Sequence, residues 1–291
     1  MDKERIVILI HCPDKKGIIA KVTSWCYEKG MNVLHCQQCL LQDEETMMFF
    51  MRIEMETESR DFNRSDFEKE FGLFSVKEGF SCEIHFAGQK EKVAVLVSKT
   101  SHCLYEILSH YEEGDIPNAE ISMVVANHDT LRNVADKFDI PFHYFPIIDK
   151  DKVSQERKII SLLKQEKIDL VILARYMQIL TPDFIEEYRN RIINIHHGFL
   201  PAFQGANPYL QAYNRGVKII GASAHYASED LDQGPIIEQD TVRVNHEAGP
   251  ALLREMGKDV EKRTLMRAVA AHLEHRIIVC RNKTVVFSKE G

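Results

Sequence analysis

The chain has 291 residues, 44% of them hydrophobic and 28% charged, with a formal net charge of −7. That length is long for one compact domain and comfortable for two, and the apolar content supports a substantial core. The acidic balance argues against a general nucleic-acid binder, and no apolar run approaches the roughly 18–20 residues of a membrane span.

The charged start Met1-Asp2-Lys3-Glu4-Arg5 leads directly into a strand and does not read as a signal peptide. Seven cysteines are an odd count, and Cys26, Cys82 and Cys280 sit in apolar surroundings. Reduced thiols in the cytoplasm are the economical expectation. Residues 5–87 read as a small α+β unit that opens on the buried strand Ile6–Ile10 and the turn His11–Gly17. Ile18, Val22, Trp25 and Cys26 then fall at i, i+4, i+7 and i+8, which is one helix face, and Gly30 ends that helix. Strands follow at Asn32–Leu41 and Met47–Met55, then a helix around Ser65–Phe71 and a strand near Ser81–Phe86. This βαββαβ order is the ferredoxin-like arrangement.

Gly88-Gln89-Lys90-Glu91-Lys92 is a polar joint, and it divides the chain into expected domains 1–88 and 89–291. Beyond it, apolar strands are expected at Val93–Val97, Glu120–Ala126, Phe142–Phe145, Leu170–Ala174, Ile192–His196 and Ile219–Tyr226. Helices are expected near Cys103–Glu112, Thr130–Phe138, Gln155–Gln165 and Pro182–Tyr188. Continuous apolar strands alternating with helices imply an α/β fold with a mostly parallel, doubly wound sheet, whose ligands collect at strand carboxyl ends. Asp259, Glu261, Lys262 and Arg263 are expected to begin a C-terminal helix (Leu265, Ala268, Val269, Leu273) and to serve structure. A strand pair, Ile277–Cys280 and Thr284–Phe287, should close the chain across Arg281-Asn282-Lys283.

Within the second domain, Asn194 and His196 are two residues apart on a strand and therefore share a face. Asp232 follows the next strand, held between Leu231 and the stiff pair Gly234-Pro235. The amide can donate to a carbonyl oxygen, and the imidazole can move a proton near neutral pH. The carboxylate can orient a water or hold the histidine's charge. Such a set suits attack on an acyl carbonyl without a metal or a covalent nucleophile. On residue pattern alone any of the acids Glu229, Asp230 and Asp232 fits, with the first two expected at the solvent-facing loop tip. His225 has either a second proton-handling or binding role or a satisfied polar place beneath the loop. His197 should point away from His196, and Pro201 with Gly205-Ala206-Asn207-Pro208 describes a tight loop. Cys36-x-x-Cys39 lies in a strand with no second pair, and the adjacent histidines diverge, so no metal is assigned.

Asn194-Ile195-His196, Leu200-Pro201, His225 and Leu231-Asp232-x-Gly234-Pro235 together resemble the signature of the formyltransferase fold that uses formyltetrahydrofolate. Leu173-Ala174-Arg175-Tyr176-Met177-Gln178-Ile179-Leu180-Thr181-Pro182 is similar to that family's folate-pocket segment. Within the superfamily the chain resembles the formyltetrahydrofolate deformylases, hydrolases that release formate. The matching pieces are His196-His197, Phe203–Tyr209, Gly221–Tyr226 and Gly257–Lys262. Pro13–Ala20 and Gly30-Met31-Asn32-Val33 resemble an ACT domain, a regulatory and oligomerising module found at the N-terminus in the same family. The resemblance covers essentially the whole chain.

The resemblance implies that Asn194 donates to the formyl oxygen, that His196 stabilises the oxyanion and manages its proton, and that Asp232 orders water or holds the His charge. It implies that Met177, Gln178, Ile179 and Leu180 flank the pterin, while His225, Ala227, Ser228 and Glu229 help close the pocket. Folate is then the substrate and no separate cofactor is implied. The reaction would balance the one-carbon pool and supply formate to purine synthesis. Two features depart from the family patterns. Ser98-Lys99-Thr100-Ser101-His102 stands where transferases of phosphorylated amines carry a glycine-rich loop. Without glycines, backbone N–H groups do not easily wrap a phosphate, which favours water as acceptor over an amine. Gly198 replaces the serine expected after the paired histidines. A non-enzymatic folate or amino-acid sensor is the remaining alternative, disfavoured by the intact Asn194, His196 and Asp232. For the first domain, unpaired strand edges imply a homo-oligomer. The turn Asp14-Lys15-Lys16-Gly17 opens a helix suited to an amino-acid carboxylate, and the resemblance suggests glycine and methionine as effectors. Neither nucleic acid nor membrane is expected as a partner.

Overall fold

A computed structural model of the chain describes residues 3–59, 62–116, 118–202 and 208–289. It divides into two compact units: the chain up to Gln89 with His275–Ile278 and the segment from Val285, and Lys90–Glu274 with Val279–Thr284. The C-terminal tail is therefore shared between the units rather than belonging wholly to the second.

In the first unit β1 (Glu4–Pro13), α1 (Ile18–Glu28), β2 (Asn32–Asp43), β3 (Thr46–Thr57), α2 (Arg64–Glu78) and β4 (Ser81–Phe86) follow the expected order. They form an antiparallel sheet of order β2-β3-β1-β4. Alternate residues Ile6, Ile8, Ile10 and Cys12 of β1 enter the core beside Met51, Ile53 and Met55 of β3, as a period of two requires. The buried residues of α1 are Ile18, Val22, Trp25 and Cys26, the four placed on one face by their spacing. The Trp25 ring meets Phe71 edge-on at 4.9 Å and Phe67 at 5.4 Å. Each such pair adds about 0.5–1.5 kcal/mol beyond its area burial. Helix α2 is longer than its apolar pattern indicates, because Leu73 and Val76 are 74% and 80% exposed and blur the helical period. Its limits come from Asn63, whose side chain accepts the Asp66 N–H at 3.1 Å, and from Gly79 in the left-handed region at φ 71°.

The second unit contains β5 (Glu91–Val97), α3 (His102–Glu112), β6 (Ala119–Ala126), α4 (Arg132–Lys137), β7 (Phe142–Tyr144), α5 (Lys152–Gln165) and β8 (Leu170–Leu173). It continues with α6 (Pro182–Glu187), β9 (Ile192–His196), α7 (Pro208–Arg215), β10 (Ile219–Tyr226), β11 (Ile236–Arg243) and α8 (Pro250–Leu273). A final hairpin pairs β12 (Ile277–Cys280) with β13 (Lys283–Val286). The seven-stranded sheet has the order β11-β10-β9-β8-β5-β6-β7. Strands β5 to β9 run parallel, and consecutive buried residues along β5 and β8 show that both faces are covered. Helices α5 and α6 close one face with Ile159, Leu163, Phe184 and Ile185 against Ala94, Leu96, Val125 and Val171.

Three features depart from the sequence-based expectation. Strand β10 pairs antiparallel with β9, so its last residue, Tyr226, stands beside Ile193 near the start of β9. The loop after β10 therefore does not begin at the carboxyl end of the parallel strands. Elements α7 and β11 were not anticipated, because β11 carries Glu238, Gln239 and Asp240 in an edge strand. Helix α8 begins at Pro250 rather than near Asp259, with proline in the first turn, where its missing N–H costs nothing. Gly257 hides this early start. A Cβ there would lie 2.1 Å from the Tyr209 ring, so the helix accepts a poor helix former to let Tyr209 approach.

Candidate active site

Strand β9 projects Asn194 and His196, and its antiparallel neighbour β10 sets His225 opposite Asn194 and Ser223 opposite His196. His225 Nδ1 lies 2.9 Å from the Tyr226 carbonyl, which can only accept, so this nitrogen carries the ring proton. Nε2 then offers a lone pair to the Asn194 amide, whose Nδ2 donates to it at 3.1 Å. Burial pushes the His225 imidazole below its ordinary range, keeping it neutral in this role. The second Nδ2 proton of Asn194 is thereby directed by its partner. His225 is both a satisfied residue under the loop and a wall of the site.

Asp232 reaches His196 across the loop that follows β10. Its Oδ2 lies 3.2 Å from His196 Nδ1, and Oδ1 lies 3.8 Å from His225 Nε2, with His196 and Asp232 side chains only 4% and 6% exposed. Asp232 sits in the left-handed region at φ 57°, which aspartate tolerates better than most residues. The loop is drawn back by Gly234: a Cβ there would stand 1.8 Å from the Tyr226 carbonyl oxygen, so only glycine fits. The Tyr226 N–H donates to Pro235 O at 3.0 Å, closing the turn. With Nδ1 directed at Asp232, His196 presents Nε2, which is buried and has no hydrogen-bond partner among the described residues.

These groups border a cavity of about 250 Å³, lined on the other side by Met177, Gln178, Ile179 and Leu180 and closed by Ala227 and Ser228. All the expected folate-contacting residues except Glu229 line it. Glu229 is exposed and outside the lining, as is Asp230. Met177 and Ile179 are 56% and 57% exposed, an unusual amount for apolar side chains that face a cavity. His197 also lines the cavity, and burial together with the Arg175 charge pushes its imidazole down to about 4.

Several supporting residues escaped the sequence reading. Ser98, from the segment that lacks glycines, is buried; its Oγ accepts the Met177 N–H at 3.0 Å and donates to Asn127 Oδ1 at 2.8 Å. Glu156 anchors the other end of the same segment, accepting the Thr181 N–H at 2.9 Å and the Thr181 hydroxyl. In sequence Glu156 looks like half of a solvent-facing i,i+4 pair with Lys152, which it also meets at 3.3 Å. Ser223 takes the Leu200 N–H and donates to Gly198 O, both at 3.0 Å, so the turn after β9 is held at Gly198 without a side chain there. Gln239 of the unforeseen β11 donates to Ser223 Oγ at 2.8 Å and to Leu200 O at 3.0 Å. The expected turn residues Phe203 to Asn207 lie outside the described residues.

Glu261, expected to serve only as helix structure, is buried at the centre of a polar cluster. It lies 2.8 Å from His102 Nε2, accepts from Tyr209 Oη at 2.5 Å and lies 3.5 Å from Arg175 Nε. Burial alone would raise its pKa, but the His102 hydrogen bond and the Arg175 charge outweigh it and hold the carboxyl below its ordinary range. His102, Cys103 and Glu261 bring ligand-type atoms within 4.8 Å of one another. Burial raises the Cys103 thiol far above its usual pKa, and Glu261 is already committed, so this set is not assigned a metal. In the first unit, Asp14, Lys15, Lys16 and Gly17 are all exposed, Gly17 at φ 88°, and no side chain caps α1. Lys15 Nζ donates to Glu78 O.

The formyl transferase family model matches residues 91–269. A formyltetrahydrofolate deformylase of Bacillus subtilis is 44% identical over 287 residues, covering 99% of this chain and 94% of its own. The chain belongs to the formyltetrahydrofolate deformylase family. A solved deformylase structure from Pseudomonas syringae pv. tomato superposes with a TM-score of 0.93 at 39% identity, covering 98% of this chain and 95% of its own. A glycinamide ribonucleotide transformylase from Symbiobacterium toebii is similar over only 70% of this chain, with a TM-score of 0.66 at 26% identity. Deformylases therefore match both units of the chain, whereas this transferase matches a part the size of the second unit.

Proposed function

We propose that the chain hydrolyses 10-formyltetrahydrofolate to tetrahydrofolate and formate, and so balances the one-carbon pool and supplies formate for purine synthesis. The observation that carries this reading is the buried His196–Asp232 pair, 3.2 Å apart, beside Asn194 in a cavity whose far wall is Met177–Leu180. Water attacks the formyl carbon as one of its protons passes to Asp232, and a tetrahedral oxyanion forms. The second Asn194 Nδ2 proton and His196 Nε2, in its protonated form, donate to that oxygen, each worth about 2.7–4 kcal/mol if well placed. Asp232 orders the water and balances the imidazolium through Nδ1. The leaving nitrogen takes a proton from His196 as the carbon–nitrogen bond breaks; the formic acid gives its proton back to His196 and departs as formate, and Asp232 releases the water's proton to solvent. The pterin lies along the Met177–Leu180 segment clamped by Ser98 and Glu156, with Ala227 and Ser228 closing over it and Glu229 outermost at the rim.

The first unit acts as an ACT-like pairing and sensing module, with the exposed turn Asp14–Gly17 as the site for an amino-acid effector such as glycine or methionine. Strand β2 is a sheet edge of twelve residues, which favours association with another copy. The proposed setting is the cytoplasm, where cysteine thiols stay reduced; among the described residues no helix is long and apolar enough to cross a membrane. The test is incubation of the pure protein with 10-formyltetrahydrofolate and no amine. Formate and tetrahydrofolate should accumulate in equal amounts. Formate release that stays negligible until a phosphorylated amine is added, with that amine becoming formylated, would make the chain a transferase.

A further inference from the structure

A second cavity, of about 210 Å³, shares Arg175 and His197 with the first and is also lined by His102, Arg254, Lys258 and Glu261. Three basic side chains, Arg175, Arg254 and Lys258, thus line the cavity with one buried carboxylate, Glu261. His197 adds no charge near neutral pH, since its pKa lies at about 4. Arg175 Nε lies 3.5 Å from Glu261 Oε2, and Nε and Nη1 are both buried with no hydrogen-bond partner among the described residues. Arg254 and Lys258 lie one turn apart on α8, both exposed, and neither forms an ion pair among the described residues. A buried guanidinium N–H without an acceptor is costly, and a ligand carboxylate is its best-matched partner.

We infer that this second cavity is a formate pocket, in which Arg175 takes up the carboxylate released at the His196–Asp232 centre and the Arg254–Lys258 pair draws it outward. The inference rests on the hydrolysis proposed above, because that reaction generates a small monoanion beside Arg175. A phosphate dianion suits the cavity less: Glu261 would face it, and the Ser98–His102 segment has no glycine to turn backbone N–H groups inward. Arg175 holds its place at φ 64°, a backbone conformation few non-glycine residues adopt, consistent with a side chain required at that point.

The experiment is a titration of the full-length protein with carbon-13 formate, followed by line broadening, at saturating tetrahydrofolate so that the first cavity is filled. Formate should still bind, and unlabelled formate should displace it better than inorganic phosphate does. The double substitution R254Q/K258Q, at exposed positions, should weaken formate binding about tenfold or more. Displacement of formate by tetrahydrofolate, stronger competition by phosphate, or unchanged binding in the double variant would each overturn the pocket. Hydrolysis of 10-formyltetrahydrofolate is measured on the same wild-type sample. Normal hydrolysis with failed formate binding removes only this inference, whereas absent hydrolysis removes the proposed reaction.

Discussion

Asp232 and His197 show how environment sets the task of a titratable residue. Asp232 joins His196 in a nearly dry site, and an asparagine there has the same shape but neither the charge nor the capacity to take a proton. Asp232→Asn should therefore fold normally and lose at least about 100-fold in kcat, the lower range for positioned acid–base help. Near-normal turnover in the folded variant would sink the role given to Asp232. Asn194→Ala and His196→Ala should be similarly inactive yet still bind tetrahydrofolate, read by fluorescence titration, because the pterin wall is built from Met177–Leu180. His197 predicts a stability effect instead. Its folded pKa is lowered from 6.5 to about 4, so between those values the unfolded chain binds a proton that the folded chain refuses. Stability must fall as pH drops through that window and be fully present above it. Tm measured from pH 7 to pH 4 should decline, and His197→Gln should flatten part of the decline. His225, whose pKa is also lowered by burial, accounts for further slope of the same sign. An identical Tm profile in the variant would disprove the assignment.

The loop between β10 and β11 matters as an element because β10 runs antiparallel to β9. A chain leaving β10 starts at the wrong end of the sheet and must turn back for Asp232 to meet His196. Gly234 makes that return possible by packing against the Tyr226 carbonyl. Gly234→Ala should push the loop outward, and a displacement near 1 Å in such a site costs on the order of 100-fold in rate. A kcat/KM for Gly234→Ala within a factor of a few of wild type would show that the loop tolerates the shift. The segment from Met177 to Thr181 is held at both ends, by Ser98 and Glu156, so its exposed Met177 and Ile179 stay in position without burial of their own.

At the scale of the whole molecule, the ferredoxin-like unit leaves β2 and β4 as its edges. Light scattering of the full chain should give at least twice the 33.6 kDa of one copy, and a monomeric mass would remove the pairing role. Addition of glycine or methionine should change the rate of formate release, and a rate indifferent to both would leave the unit with pairing alone. The tail adds a constraint on any dissection of the chain. Within the first unit Arg52 Nε donates to His275 O at 3.1 Å, and the His85 and His275 rings stack at 3.6 Å. A cut at residue 88 therefore strips these tail residues of their partners.

Local periodicity determined most of the elements: one helix face at Ile18, Val22, Trp25 and Cys26, strand alternation at Ile6, Ile8 and Ile10, and continuous apolar runs for the buried parallel strands. The pair Asn194 and His196 was legible for the same reason, since a separation of two on a strand fixes a shared face. Spacing along the chain carries no information on which strand lies beside which, or in which direction. The antiparallel placement of β10, and with it the path by which Asp232 meets His196, was decided by tertiary pairing. So was the early start of α8, where Gly257 breaks the helical pattern to admit the Tyr209 ring. Buried polar groups were hardest to foresee. Ser98, Glu156, Arg175 and Glu261 look like surface residues in sequence, because a polar side chain is tolerated inside only by partners that come from distant segments.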